Sequence, residues 1–193
     1  MVTNLDAIKQ SPKTGQEHFR SSSDPLGFQL LDFWRWSGSD LVGNTARGIL
    51  AEYLVARALG SAQPSRHEWL PFDVLGAGGL RVQVKSAAYL QSWYQSKPSR
   101  IAFSIRATRS WNPKTNALAA NPTRECDLYV FALLAHRDKI TLDPMDVAQW
   151  QFYVLSRADI DGYARSQHSI TLPSLERCGA RSVGYAELLL TPA

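Results

Sequence analysis

Four polar side chains within one short stretch could do chemistry together: Asp73, Arg81, Gln83 and Lys85. They alternate with Val74, Val82 and Val84 around Ala77-Gly78-Gly79. Two apolar-alternating runs flanking a glycine-rich turn are the pattern of a β-hairpin. With the triplet as its loop, Val74 lies opposite Val82, Phe72 opposite Val84 and Asp73 opposite Gln83. Strand side chains alternate between faces, so the apolar residues share one face and the four polar groups project from the other. A carboxylate, an amide and an ammonium bind ions and stabilise developing charge, and a buried sheet is an expensive place for them otherwise. An edge hairpin with its polar face in water would show the same alternation, so the neighbouring elements decide.

The element upstream is a helix. Asn44 to Gly60 starts at an Asn/Thr cap and stops at a glycine, and Ile49, Leu50, Tyr53, Leu54 and Leu59 form its apolar stripe. Glu52 lies beside that stripe on a narrow face with Thr45, Gly48 and Ala56, where small neighbours allow close approach to a sheet.

A helix carboxylate, a strand aspartate and a Gln-x-Lys ten residues further on resemble the PD-(D/E)XK nuclease superfamily over roughly residues 44 to 135. The resemblance implies an α/β fold with a restriction-endonuclease-like central mixed sheet flanked by helices. It also implies a metal-dependent nuclease, with DNA as the expected substrate and Mg²⁺ or Mn²⁺ as the cofactor. On that resemblance Glu52 and Asp73 bind the metal, Gln83 and the Val84 carbonyl complete the protein's share, and Lys85 holds the attacking water and stabilises charge. Gln83 departs from the family pattern, which has Glu or Asp there. A neutral amide holds a hard cation less strongly. Residues 29 to 60 and 127 to 155 also resemble a group of bacterial proteins, without adding a function.

The composition agrees with one ordinary globular domain, because 193 residues with 45% apolar and 20% charged side chains can bury a core. A charge of +4 and a pI near 9.2 favour a polyanionic partner. Cys126 and Cys178 lack the spacing of a zinc site or a disulfide framework. With no 18-residue apolar run and a polar N-terminus, a membrane partner is not expected and the cytoplasm is the expected compartment.

Residues 1 to 24 read as a flexible arm, and 25 to 193 as the nuclease-like domain. From Pro25 to Val42 the spacing predicts an amphipathic helix with Phe28, Phe33, Trp34 and Trp36 in the core; dimerisation through that face is the second reading. Glu68 offers another carboxylate, and its place before Trp69 and Pro71 puts it at the rim of the site. Arg81, Ser86 and Tyr89 near the hairpin, and Arg106, Arg109 and Lys114 around a long basic loop, are the expected nucleic-acid contacts. Strands are predicted at Arg100–Thr108, Asp127–Ala135, Trp150–Leu155 and Ser169–Leu172, and helices at Pro173–Cys178 and from Gly184 to Leu190, the last capped near Ser182. No nucleophile elbow, phosphate-cradling loop or dinucleotide fingerprint competes. The rival readings are a catalytically degraded module that binds nucleic acid or a protein, and a scaffold that dimerises through residues 26 to 42.

Overall fold

The computed structural model describes residues 5–6, 8–112, 115–163 and 165–188. They form two compact units, one of residues up to Ser39 together with Gln63–Arg66, the other of Asp40–Ala62 and the chain from His67 onward.

In the first unit β1 (His18–Ser21) pairs antiparallel with β2 (Asp24–Gln29), and α1 (Leu30–Gly38) follows directly. The helix predicted from Pro25 thus begins five residues late. Pro25 and Gly27 sit in β2, and the first good start signal is at Gln29, whose N–H donates to Asp32 Oδ2 at 2.8 Å. None of the residues of α1 is buried, and Trp36 is 84% exposed, so its aromatic side chains are not core. Apolar residues at 30, 31, 33, 34 and 36 spread over one broad side of the nine-residue helix, opposite Asp32 and Arg35, and that side stays partly exposed. They pair locally, Phe19 with Phe28 at 4.8 Å between centroids and Phe33 with Trp36 at 6.4 Å.

The second unit runs through α2 (Asn44–Ala58), β3 (Val74–Leu75), β4 (Arg81–Ala88), β5 (Ala102–Ser104), β6 (Trp111–Asn112), β7 (Ala117–Leu118), β8 (Leu128–Leu134) and β9 (Trp150–Ser156). It continues with α3 (Arg157–Asp161), β10 (Ser169–Thr171), α4 (Leu172–Arg177), β11 (Arg181–Val183) and α5 (Tyr185–Leu188). The fold is mixed α/β. Five strands form one mixed sheet in the order β11-β9-β8-β4-β3, in which β4 and β8 are parallel and every other pair is antiparallel. The all-apolar run at Leu128–Leu134 is the central strand, as such a run must be to satisfy its backbone while both faces are covered. Ser182, expected at a helix cap, lies in edge strand β11, and Leu189–Ala193 fall outside the described residues.

One face of the sheet, with Val82, Val84, Ala88, Val130 and Phe152, packs against Ala51, Leu54, Val55 and Ala58 of α2. The other, with Ala87, Tyr129, Phe131 and Leu155, packs under Phe103 of β5, Ile170 of β10, Ile160 of α3 and Leu175 of α4. α2 is turned in part from the expected stripe: Leu54 is buried and Leu50 and Leu59 pack against the core as expected, but Ile49 and Tyr53 are 46% and 55% exposed, and Ala51, Val55 and Ala58 are buried with Leu54. Small contact residues bring the helix close, and a β-carbon at Gly48 would sit 3.9 Å from Ser86 Oγ. The helix closes as expected at Gly60 (φ +63°). Gly60 N–H donates to Arg57 O at 3.1 Å and Ser61 N–H to Ala56 O at 2.9 Å, the paired bonds of a left-handed C-terminal cap. At its start Asn44 does not cap the helix; its Oδ1 accepts from buried Arg47 Nη2 at 2.7 Å.

Candidate active site

The β3–β4 hairpin sets the site. Val74 pairs with Val82 and Leu75 with Arg81, the expected register, and Gly78 (φ +64°) and Gly79 (φ +85°) make the left-handed turn that only glycine adopts cheaply. Alternation along β4 then sends Val82 and Val84 to α2, and Gln83 and Lys85 to the opposite face. β3 is shorter than the pattern suggested. Phe72 joins the cluster on the face away from α2, whereas Val84 belongs to the α2 side, so these two do not share a face. Pro71 ends the run of extended pairing before Phe72 can follow it.

Asp73 stands where β3 gives out. Its N–H donates to Val82 O at 3.0 Å, and its Oδ2 accepts from Val84 N–H at 2.7 Å and, closely, from Gln83 Nε2. The carboxylate thus occupies the edge of β4 where a neighbouring strand's carbonyl would sit. In a strand a residue's N–H and C=O leave the same edge, so the Val84 carbonyl points to the side that holds Asp73.

A cavity of about 250 Å³ opens here. It is lined by Glu68, Trp69, Leu70, Pro71 and Asp73 from the segment leading into the hairpin, by Gln83, Lys85 and Tyr129 of the sheet as its floor, and by Arg106, Arg109 and Trp111 from the segment after β5. Tyr129 is the parallel neighbour of Gln83, and Phe131 that of Lys85. Burial pushes the Tyr129 phenol above its ordinary range, with Cys126 adding to the shift, so the floor is uncharged there. Arg106 Nε donates to His168 Nδ1 at 3.3 Å, and Arg109 Nε to Ala119 O, bonds that use one guanidinium nitrogen of each of these two lining residues.

Asp73, Gln83, Lys85, Arg106 and Arg109 are therefore brought together, and Val84 adjoins them through its backbone. Glu52 is half-buried on α2 and does not line the cavity. Arg81 lies outside it, forking onto Asp127 through Nη2–Oδ1 at 2.7 Å and Nε–Oδ2 at 3.1 Å; that bonding holds the Asp127 carboxyl down at about 2. Ser86 faces Gly48 of α2, and Tyr89 lies beneath Arg137, whose guanidinium carbon is 3.7 Å from the ring centroid. Lys114 falls outside the described residues. Tyr129, Thr108 and Trp111 are lining residues that sequence reasoning missed. Tyr129 sits inside an apolar run that reads only as core, and Thr108 and Trp111 lie in the segment after β5, where loop conformation sets their place.

Among the described residues no group of three or more His, Cys, Asp or Glu could hold a metal ion. What the lining offers is oxygen from Glu68, Asp73 and Gln83, with the Val84 backbone beside Asp73. That donor set fits a hard cation that keeps several of its waters and lacks the nitrogen and sulfur ligands zinc prefers.

The chain matches the family model of Bacteriophage T4 endonuclease IV over residues 32–172, about three quarters of its length, which includes every lining residue of the cavity. This places it among nucleases. It belongs to the Bacteriophage T4 endonuclease IV family. No curated protein matches the chain significantly.

Proposed function

We propose that the protein is a DNA endonuclease that depends on a divalent cation, Mg²⁺ or Mn²⁺, with the catalytic arrangement of the PD-(D/E)XK superfamily on a restriction-endonuclease-like sheet. The observation that carries this reading is the convergence of Asp73, Gln83 and Lys85 in one cavity walled by Arg106 and Arg109. Asp73, Gln83 and the Val84 carbonyl would hold the cation; Glu52, the second carboxylate on the superfamily resemblance, lies on α2, which packs against the opposite face of the sheet, and is left out of this assignment. A bound cation would polarise the scissile phosphate and absorb charge on it. Lys85 orients the attacking water and donates to the phosphoryl oxygen as charge builds. Arg106 and Arg109 grip phosphates, which fixes the strand before reaction.

The test is incubation of purified protein with supercoiled DNA and Mg²⁺, Mn²⁺ or chelator. Metal-dependent nicking that is abolished by Asp73→Ala and by Lys85→Ala supports the reading, and nicking that survives both overturns it. One observation favours a second reading. The Gln83 amide already satisfies Asp73, as a structural pair in a catalytically degraded DNA-binding module would. Retention of DNA without cutting in any metal supports that module.

A further inference from the structure

We infer that Glu68 is a metal-binding carboxylate of this site, a role the superfamily resemblance does not assign; the inference rests on the cation-dependent reading above. Among the described lining residues the two carboxylates are Glu68 and Asp73, set against Lys85, Arg106 and Arg109. Mg²⁺ sites use one or two carboxylates. Beside three cationic side chains, a divalent ion held by Asp73 alone would be poorly compensated, and Glu68 supplies the second negative charge on the cavity side of the sheet. Its placement is local. Glu68 lines the same cavity as Asp73, Gln83 and Lys85, and stands five residues before Asp73 in a segment stiffened by Pro71. Glu68 is also exposed, so it gives up little structure in turning to a cation.

Trp69 and Trp111 line the same cavity and provide a direct readout, because tryptophan sensitises the emission of nearby Tb³⁺. Tb³⁺ is titrated into the full-length protein with excitation of tryptophan, followed by competition with Mn²⁺. The expected result is saturable emission displaced by Mn²⁺, weakened about tenfold in affinity by Glu68→Gln and more by Asp73→Asn, with unchanged circular dichroism for both variants. Wild-type affinity in Glu68→Gln alongside a loss in Asp73→Asn overturns the role of Glu68 and leaves the metal site standing. Emission that is absent, or unaffected by Asp73→Asn, overturns the cation-dependent reading itself.

Discussion

Replacing Gln83 by Glu tests the metal shell most sharply, because it changes one atom and reverses an interaction. In the wild type Gln83 Nε2 donates closely to Asp73 Oδ2. Gln83→Glu removes a hydrogen bond to a charged acceptor, worth about 1.5–3 kcal/mol, and sets two carboxylates against each other. At an effective dielectric near 20 that repulsion reaches about 4 kcal/mol at 4 Å, but uptake of a proton by one carboxyl limits it. Together they give a loss of about 3 kcal/mol in chelator, which for a chain of this size lowers Tm by roughly 6–12 °C. A cation bound between the carboxylates reverses the effect. Mn²⁺ at a hundred times its Kd returns about 2.7 kcal/mol, close to the whole loss, so the variant should regain most of its Tm. Cleavage should equal or exceed that of wild type. Thermal unfolding by circular dichroism, with chelator and with Mn²⁺, makes the measurement. A Tm unchanged in chelator, or lowered but not restored by Mn²⁺, would refute the assignment of residue 83 to the metal shell.

Three further outcomes are expected. Arg109→Ala should weaken DNA binding at all sequences alike and reduce the slope of log K against log salt by about one, measured by fluorescence anisotropy at several ionic strengths. Phe131→Ala, at a fully buried position under Phe103, should cost about 3–5 kcal/mol in urea unfolding, and a loss under about 1 kcal/mol would contradict the packing described. Because Arg81 holds Asp127 at about 2 in the folded protein against an ordinary 3.8, this pair stabilises above the ordinary value and its contribution is lost as pH falls towards 2. Asp127→Asn should therefore flatten the acid limb of a stability–pH curve between about pH 4 and pH 2.

The parts of the fold read correctly from sequence are those fixed by short-range rules. Two adjacent glycines with alternating residues on either side specify the register of Val74 on Val82, and an unbroken apolar run specifies a central strand at Leu128–Leu134. The helix ending at Gly60 follows from the same kind of local rule. What failed depends on packing partners distant in sequence. The face of α2 that turns inward combines Leu54 and Val55 with Ala51 and Ala58, whose small side chains let the helix approach β4, and Ile49 and Tyr53 are left outside it. In α1 the aromatic residues promised a core that a small unit does not build. The candidate site was legible on its strand side, where Asp73, Gln83 and Lys85 are tied to the hairpin. The part of the lining from Arg106 to Trp111 was legible only as a basic loop, since that segment is placed by tertiary contacts that leave no periodic trace.

The shortness of β3 has a consequence for solubility. Among the described residues β4 has no strand beside it from Gln83 to Ala88 on the side away from β8, and the Asp73 side chain plugs the first open donor of that border. A neighbouring chain could zip onto the border if the plug were withdrawn. Alanine at 73 would strip out a chemical group and a seal together, so inactive preparations of that variant should be sized by light scattering, and the asparagine variant, which still presents an oxygen to Val84 N–H, is the cleaner probe of chemistry alone.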